Sequence, residues 1–179
     1  IPELVKGNLI GCFGLTESIS GSDPSSMKTQ FEEVSDGFII NGSRDWITNA
    51  PIADVFLIWA FDKEKKVHGF LVDKETKGLT TEKINKSSIK IAQAGKIFLK
   101  DVKVSKSSIL PNTTGWKSVY SCINKARYGI AWGAMGAAET CWFIAKDYAE
   151  KRIVNKKPLA SKQLVQKKLA DMMTEISLG

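Results

Sequence analysis

The 179 residues are 43% hydrophobic and 25% charged, an ordinary globular composition sufficient for one or two small domains. No apolar run approaches the roughly 20 residues of a membrane-spanning helix, and no basic–apolar–small-residue leader opens the chain. The net charge of +7, from 26 basic and 19 acidic residues, is spread along the whole length, which describes a solvated lysine-rich surface or an anionic ligand rather than a nucleic-acid-binding arm.

Residues 1 to about 113 read as β. "NLIGCFGL" is an apolar run fit for a buried strand, and it leads into "TESISGSDP", a loop of small hydroxyl residues and glycine around two carboxylates, Glu17 and Asp23. Backbone amides around Thr16 can form an anion-binding concavity, with Ser20, Gly21 and Ser22 as unhindered donors. The same composition also describes a plain polar loop. "FEEVSDGFIING" contains the turn Ser35-Asp36-Gly37, and Asn41-Gly42 predicts another tight turn.

"DWITNAP" sets a flat apolar plate, Trp46, two residues before a hydroxyl, Thr48. Residues i and i+2 of a strand share a face, so the two can address one planar heteroaromatic ligand; alternatively Trp46 packs in a sheet before a turn at Asn49. "ADVFLIWAF" and "VHGFLV" flank the charged turn "DKEKK" as a hairpin. "GLTTEKI" and "KIFLKDVKV" complete seven or eight short runs, with Ile97, Leu99, Val102 and Val104 alternating once a shift near Lys100–Asp101 is allowed. A closed or sandwiched antiparallel sheet is expected.

After the joint "SKSSILPNTTG" the period changes. From Trp116 to about Lys151, apolar residues at 119, 123, 126, 130, 134, 137, 141, 144 and 148 describe one face of a long helix. Gly129, Gly133 and Gly136 each cost ~1 kcal/mol of helix propensity, so the helix is expected to have close neighbours. Arg127 sits beside the stripe with Asn124 one turn earlier, as a snorkelling edge residue or a phosphate or amide contact. A second helix is expected from about Ser161, a candidate N-cap, with Val165, Leu169, Met172 and Ile176 on one face. Two helices cannot bury so much apolar surface alone. The chain begins at Ile1 rather than Met and stops within a continuing helical pattern, so it is expected to be a fragment of a longer protein. The fold class is α+β, with a β-domain over 1–113 and the first two long helices of a bundle over 114–179.

Cys12, Cys122 and Cys141 lie in apolar segments without C-x-x-C spacing, as small hydrophobes suited to a reducing compartment. His68 is the only histidine and reads as a strand-face residue, so neither a metal site nor a histidine-dependent nucleophile is expected. The G-x-G-x-x-G fingerprint and the P-loop are absent; any dinucleotide must be gripped by other means.

Taken together, "FGLTESISGSD", "WITNAPIADVFLIWA", "ARYGIAWGAMGAAE" and "QLVQKKLADMMTEISLG" resemble the acyl-CoA dehydrogenase family, most closely its glutaryl-CoA dehydrogenase branch, over essentially the whole chain. The resemblance implies FAD as cofactor, an acyl-CoA (here glutaryl-CoA) as substrate, an electron-transfer flavoprotein as acceptor and a homotetramer. It implies that Phe13, Gly14, Leu15, Thr16, Glu17, Gly21 and Ser22 wrap the flavin, with Ser22 also touching the acyl-CoA. Trp46, Ile47 and Thr48 match a flavin-contacting triplet. Tyr120, Asn124 and Arg127 match a CoA-contacting stretch, and Arg152 and Gln163 match residues that reach FAD, in the family typically that of a neighbouring subunit. The family's Arg-x-Gln-Phe-Gly is replaced here by "RIVNKKP", and Lys90 and Ala94 stand where relatives carry Arg and a hydroxyl residue.

The implied reaction is α,β-dehydrogenation, followed in the glutaryl branch by loss of carbon dioxide to give crotonyl-CoA. No catalytic base is nominated in this chain: most relatives place it further on, expected here downstream of Gly179, and a minority place a Glu at the position of Ala126. Another short-chain dehydrogenase or an acyl-CoA oxidase of the same fold is the alternative. A non-catalytic basic β-domain binding nucleic acid ranks far behind, since it predicts clustered surface aromatics. The expected location is cytoplasmic in a bacterium or the mitochondrial matrix in a eukaryote.

Overall fold

The structure is a computed structural model and describes residues 2–179. A short helix α1 (Pro2–Val5) precedes seven strands: β1 (Gly11–Gly14), β2 (Gln30–Val34), β3 (Gly37–Thr48), β4 (Val55–Phe61), β5 (Val67–Asp73), β6 (Leu79–Ile84) and β7 (Ala94–Ser105). The helix α2 (Trp116–Lys151), the hairpin β8 (Ile153–Val154) and β9 (Lys157–Pro158), and α3 (Gln163–Leu178) follow. The chain forms two compact units that divide between Val119 and Tyr120, inside α2.

In the first unit, β1 to β7 make one sheet. The β2–β3 hairpin turns at Ser35-Asp36 and the β4–β5 hairpin at the charged "DKEKK". β3 pairs with β7, and β7 with β6, all antiparallel. The sheet is nevertheless mixed: β4 carries β5 on one edge, while its other edge takes β1 in parallel and then Gln30 of β2 opposite Phe61. The loop over residues 15–29 joins β1 to β2 along that edge. One face of the sheet buries Phe31, Phe38, Ile40, Phe56, Ile58, Phe70, Ile97 and Val102, with Phe31, Phe38 and Phe70 meeting edge to face.

The tight turn expected at Asn41-Gly42 does not form; β3 runs through it. The irregularity lies opposite, where β7 carries an extra residue and Asp101 adopts φ +51°. Asn41 fills the gap in the ladder, its Oδ1 accepting from the Asp101 N–H at 2.8 Å. Gly42, at φ +148°, lies under Thr29, whose Oγ1 would be 2.2 Å from any Cβ there. The glycine thus serves a close approach between chain segments rather than a reversal.

In the second unit, α2 half-buries Met135, Ala138, Trp142 and Ala145 and buries Ala149, and the Trp142 indole N–H donates to the Leu169 carbonyl of α3 at 2.8 Å. Of the expected stripe, Ile130, Cys141, Ile144 and Tyr148 are exposed. Among the described residues nothing comes within 4 Å of a Cβ built at Gly129, Gly133 or Gly136. Helix α3 half-buries Val165, Leu169, Met173 and Ile176, close to the expected face. Ser161 does not cap it; it ends a 3-10 turn, and Lys162 occupies the N-cap without a side-chain bond. Of the cysteines, Cys12 is buried and Cys122 and Cys141 are exposed, so only the first behaves as a core hydrophobe.

Candidate functional site

The loop after β1 is built around its carboxylates. Glu17 and Ser20 exchange backbone hydrogen bonds of 3.0 and 3.1 Å around a two-residue turn. Asp23 accepts from the Ser25 N–H at 3.0 Å and caps the 3-10 turn Pro24–Ser26. The Glu17 carboxylate is buried and accepts from the Lys28 and Thr29 N–H groups at 2.8 Å and from the Thr29 hydroxyl at 2.7 Å. Glu17, expected at the cofactor, therefore has its side chain turned into the protein. Gly21 and Ser22 are exposed at the tip of the loop.

Arg44 completes this network and is the residue that sequence reasoning missed. Its side chain is 1% exposed and pairs with Glu17 at 2.8 Å. It also donates to the Leu15 carbonyl at 2.7 Å and to the Trp59 carbonyl. Burial pushes the guanidinium pKa down to about 10 against the opposing pull of Glu17, so Arg44 stays charged at neutral pH. The signal was available. Phe38, Ile40 and Arg44 occupy alternate, inward positions of β3, and an Arg on a buried face needs an anion.

Two residues later the strand breaks its alternation. Between the pairs Arg44–Ile97 and Ile47–Gly95, β3 carries one extra residue, and Trp46 sits there at φ +58°. A strict period of two would send Trp46 inward with Arg44. The bulge instead leaves the indole 59% exposed, buries Ile47 and exposes Thr48. Trp46 and Thr48 do share the solvent side, through a left-handed residue rather than a regular strand. The Asp45 N–H donates to the Thr16 carbonyl at 2.8 Å, which brings the β1 loop and the bulge together.

Thr48 and Phe13 line one open depression of about 460 Å³, with Leu4, Cys12, Leu57 and Leu71 among its walls. Phe13 leans on Trp59, ring centroids 5.9 Å apart. Gly14 is closely packed: a Cβ would lie 2.8 Å from Ile58 Cδ1, 3.3 Å from the Leu57 carbonyl oxygen and 3.4 Å from Arg44 Cγ. The hydroxyls of Thr16, Ser22 and Thr48 have no hydrogen-bond partner among the described residues. Beneath this edge, burial pushes the Cys12 thiol pKa up to about 12, which makes it inert. The structure thus gathers Phe13, Leu15, Thr16, Trp46, Ile47 and Thr48 at one edge of the sheet.

The second unit holds the remaining candidates. Tyr120, Asn124 and Arg127 are exposed and, at i, i+4 and i+7, lie on one face of α2. Arg152 and Gln163, both exposed, flank the β8–β9 hairpin, where Asn155 and Lys156 turn the chain at φ +52° and +64°. The "RIVNKKP" run is therefore a two-residue hairpin, closed by the Leu159 N–H on the Arg152 carbonyl at 2.7 Å. His68 is a strand-face residue, half-buried, with Nε2 3.2 Å from Asp62 and its ring edge-on to Phe31. Among the described residues no cluster of three or more His, Cys, Asp or Glu is placed to hold a metal. The exposed aromatic rings described in the sheet are Trp46 and Phe98, not a row of stacking platforms.

Two family descriptions match the sequence: the acyl-CoA dehydrogenase middle domain over residues 12–102 and the acyl-CoA dehydrogenase C-terminal domain over residues 113–179. The human mitochondrial short-chain specific acyl-CoA dehydrogenase is 34% identical over 178 residues, which are 96% of this chain and 43% of that protein. The glutaryl-CoA dehydrogenase of Desulfococcus multivorans is 32% identical, covering 98% of this chain and 47% of its own. Among solved structures, a glutaryl-CoA dehydrogenase of Mycobacterium smegmatis in complex with FADH2 superposes with a TM-score of 0.93 at 39% identity, over 98% of this chain and 45% of the other. The chain spans less than half the length of each of these relatives.

Proposed function

The chain belongs to the acyl-CoA dehydrogenase family, and on that premise we propose that it carries the flavin edge and CoA helix of an FAD-dependent dehydrogenase acting on glutaryl-CoA. The observation that carries this reading is the bulge at Asp45–Trp46. It presents an exposed indole and the unpartnered Thr48 hydroxyl beside the loop at Thr16. A bulky residue held left-handed and solvent-facing costs stability and calls for a use. A flat apolar plate next to free hydroxyl donors fits a planar heteroaromatic such as an isoalloxazine.

When bound, FAD supplies the hydride acceptor for α,β-dehydrogenation of the thioester. Trp46 offers the plate, Thr16 and Thr48 offer donors, and Phe13 and Leu57 keep the adjoining depression apolar. Tyr120, Asn124 and Arg127 are suited to the CoA handle from one helix face, and Arg152 with Gln163, aided by Lys156 and Lys157, to the distal part of a dinucleotide, in the family typically that of a neighbouring subunit. None of these residues is assigned the α-proton: Glu17 is engaged by three N–H or O–H donors and Arg44, and position 126 is alanine. Transfer of electrons to an electron-transfer flavoprotein and homotetrameric assembly belong to the same reading.

The test is anaerobic titration of the purified protein that contains this chain. Bleaching of a bound flavin by glutaryl-CoA, with one carbon dioxide released per turnover, is the expected result. Bleaching by butyryl-CoA alone would move the protein to the short-chain enzymes, and reoxidation by oxygen without an acceptor protein to the oxidases.

A further inference from the structure

We propose that Arg44 is a positioning residue: with Glu17 it clamps the loop after β1 against β3 and β4 and so sets the mutual placement of Thr16, Trp46 and Thr48. The inference rests on the reading of these residues as the flavin edge. Arg44 does not itself face that edge; it is the second residue before Trp46 on β3, and its side chain runs inward while the indole faces out.

Three backbone segments meet on this one guanidinium. Nη1 donates to the Leu15 carbonyl at 2.7 Å and to Glu17 Oε1 at 2.8 Å, and Nη2 donates to the Trp59 carbonyl on β4. Glu17 in turn holds the far end of the loop through Lys28 and Thr29. Thr29 lies over Gly42 on β3, and its hydroxyl reaches the Ser43 carbonyl at 3.2 Å. The loop over 15–29 is therefore fastened at both ends to the stretch of β3 that immediately precedes the bulge. Thr16, between the two fastened residues Leu15 and Glu17, presents its carbonyl to the Asp45 N–H. Moving the guanidinium moves the acceptor on which the bulge is seated.

A rigid planar fork holds acceptors on the loop and on β4 in fixed directions, which a point-like ammonium on a flexible stem does not. The pair is buried, and burial of two charges contributes little net stability compared with an apolar pair of the same shape. Register and placement are what such a pair supplies here.

The experiment uses the full-length protein with Arg44→Lys and the double variant Glu17→Gln/Arg44→Met, which removes both charges and so avoids a lone buried one. Three quantities are read: FAD affinity with the visible flavin spectrum, kcat per bound flavin against KM for acyl-CoA, and amide exchange at Asp45 and Thr29. The expected result is a cooperatively folding protein whose FAD affinity falls at least tenfold with a shifted flavin band. Turnover per flavin should fall while KM stays within about twofold, because the CoA handle is held from α2. Exchange at Asp45 and Thr29 should quicken at least tenfold. Either variant folding with native flavin affinity, spectrum, per-flavin turnover and exchange would overturn the proposal. If the unmodified protein carries no flavin, the proposed function fails, and exchange at Asp45 in the double variant alone decides whether the clamp seats the bulge. Should Arg44→Lys not fold, the double variant decides all three readouts.

Discussion

The Asp45 N–H donates to the Thr16 carbonyl across 2.8 Å, joining residues 29 apart in sequence at the point where β3 gains its extra residue. The bond ties the loop after β1 to the strand that presents Trp46. It also makes the left-handed conformation of Trp46 a consequence of ladder geometry, since residue 46 must be passed over for Ile47 to reach Gly95.

That origin has a measurable signature. Trp46→Gly should leave stability within about 1 kcal/mol of the parent, because relief of a left-handed side chain (~1–2 kcal/mol) offsets the added chain entropy of glycine (~0.5–1 kcal/mol). Trp46→Val, β-branched and intolerant of positive φ, should be less stable than the glycine variant by about 1–2 kcal/mol. Both should weaken flavin binding. Urea titration compares the two, and equal stabilities would mean that position 46 is free to leave the left-handed region.

Gly42 carries a steeper prediction. A methyl there would lie 2.2 Å from Thr29 Oγ1 and 2.7 Å from Thr29 Cα, and Thr29 is fully buried. Gly42→Ala should cost about 2–4 kcal/mol from overpacking plus the strained φ, and should loosen the Thr29–Glu17 bond. The midpoint of chemical unfolding reads the first effect and amide exchange at Thr29 the second. A shift below about 0.5 kcal/mol would contradict the contact.

How much of this was legible in the sequence depends on the range of the signal. The two hairpins and the shift near Lys100–Asp101 follow from period-two alternation and turn chemistry, which are local. Asn41-Gly42 misled because the dipeptide also suits a β-bulge; the deciding contact of Gly42 is Thr29, thirteen residues earlier in the loop after β1. On α2 the apolar period marks a face without saying what covers it. Trp142 bonds to Leu169 on α3, and Met135, Ala138 and Ala149 are half-buried or buried, while Ile130, Ile144 and Tyr148 remain exposed. Trp46 and Thr48 are both exposed, and that exposure follows from a bulge that no local period predicts.

The Glu17–Arg44 pair separates charge from packing. Glu17→Gln and Arg44→Met should each destabilise by about 3–5 kcal/mol, since each leaves a buried partner uncompensated. The double variant should cost less than the sum of the two by at least about 2 kcal/mol. Denaturant unfolding of the four proteins closes the cycle. Additive losses would mean that the two side chains do not sense one another.

Cys12 predicts a pH dependence with a definite sign. Its thiol is held neutral up to about pH 12 in the folded protein, whereas the unfolded thiol ionises near its ordinary value of ~8.5. Between these values the native state binds more protons, so stability falls as pH rises, by no more than about 1.4 kcal/mol per pH unit. Comparison with Cys12→Ala cancels the titrating lysines. The parent should lose stability faster than the variant above pH 9, and Cys12 should resist alkylation until the protein unfolds. Parallel curves for the two proteins, or rapid native alkylation at Cys12, would place the thiol at the surface.

Arg127 distinguishes binding from chemistry on α2. It shares a face with Tyr120 and Asn124, two turns and one turn away, and all three are exposed. A guanidinium in such a place is suited to a phosphate or amide of the CoA handle, which is present and unchanged in both the ground state and the transition state. Loss of such a contact removes uniform binding. Arg127→Ala should therefore raise KM for the acyl-CoA about tenfold or more while kcat stays within about threefold, with FAD content unaffected. Asn124→Ala should act in the same direction and more weakly, since a neutral hydrogen bond contributes about half of a charge-assisted one. Steady-state kinetics with saturating acceptor protein provide the split. A collapse of kcat at unchanged KM would instead place Arg127 at the reacting thioester, where its charge would stabilise the developing enolate rather than the handle.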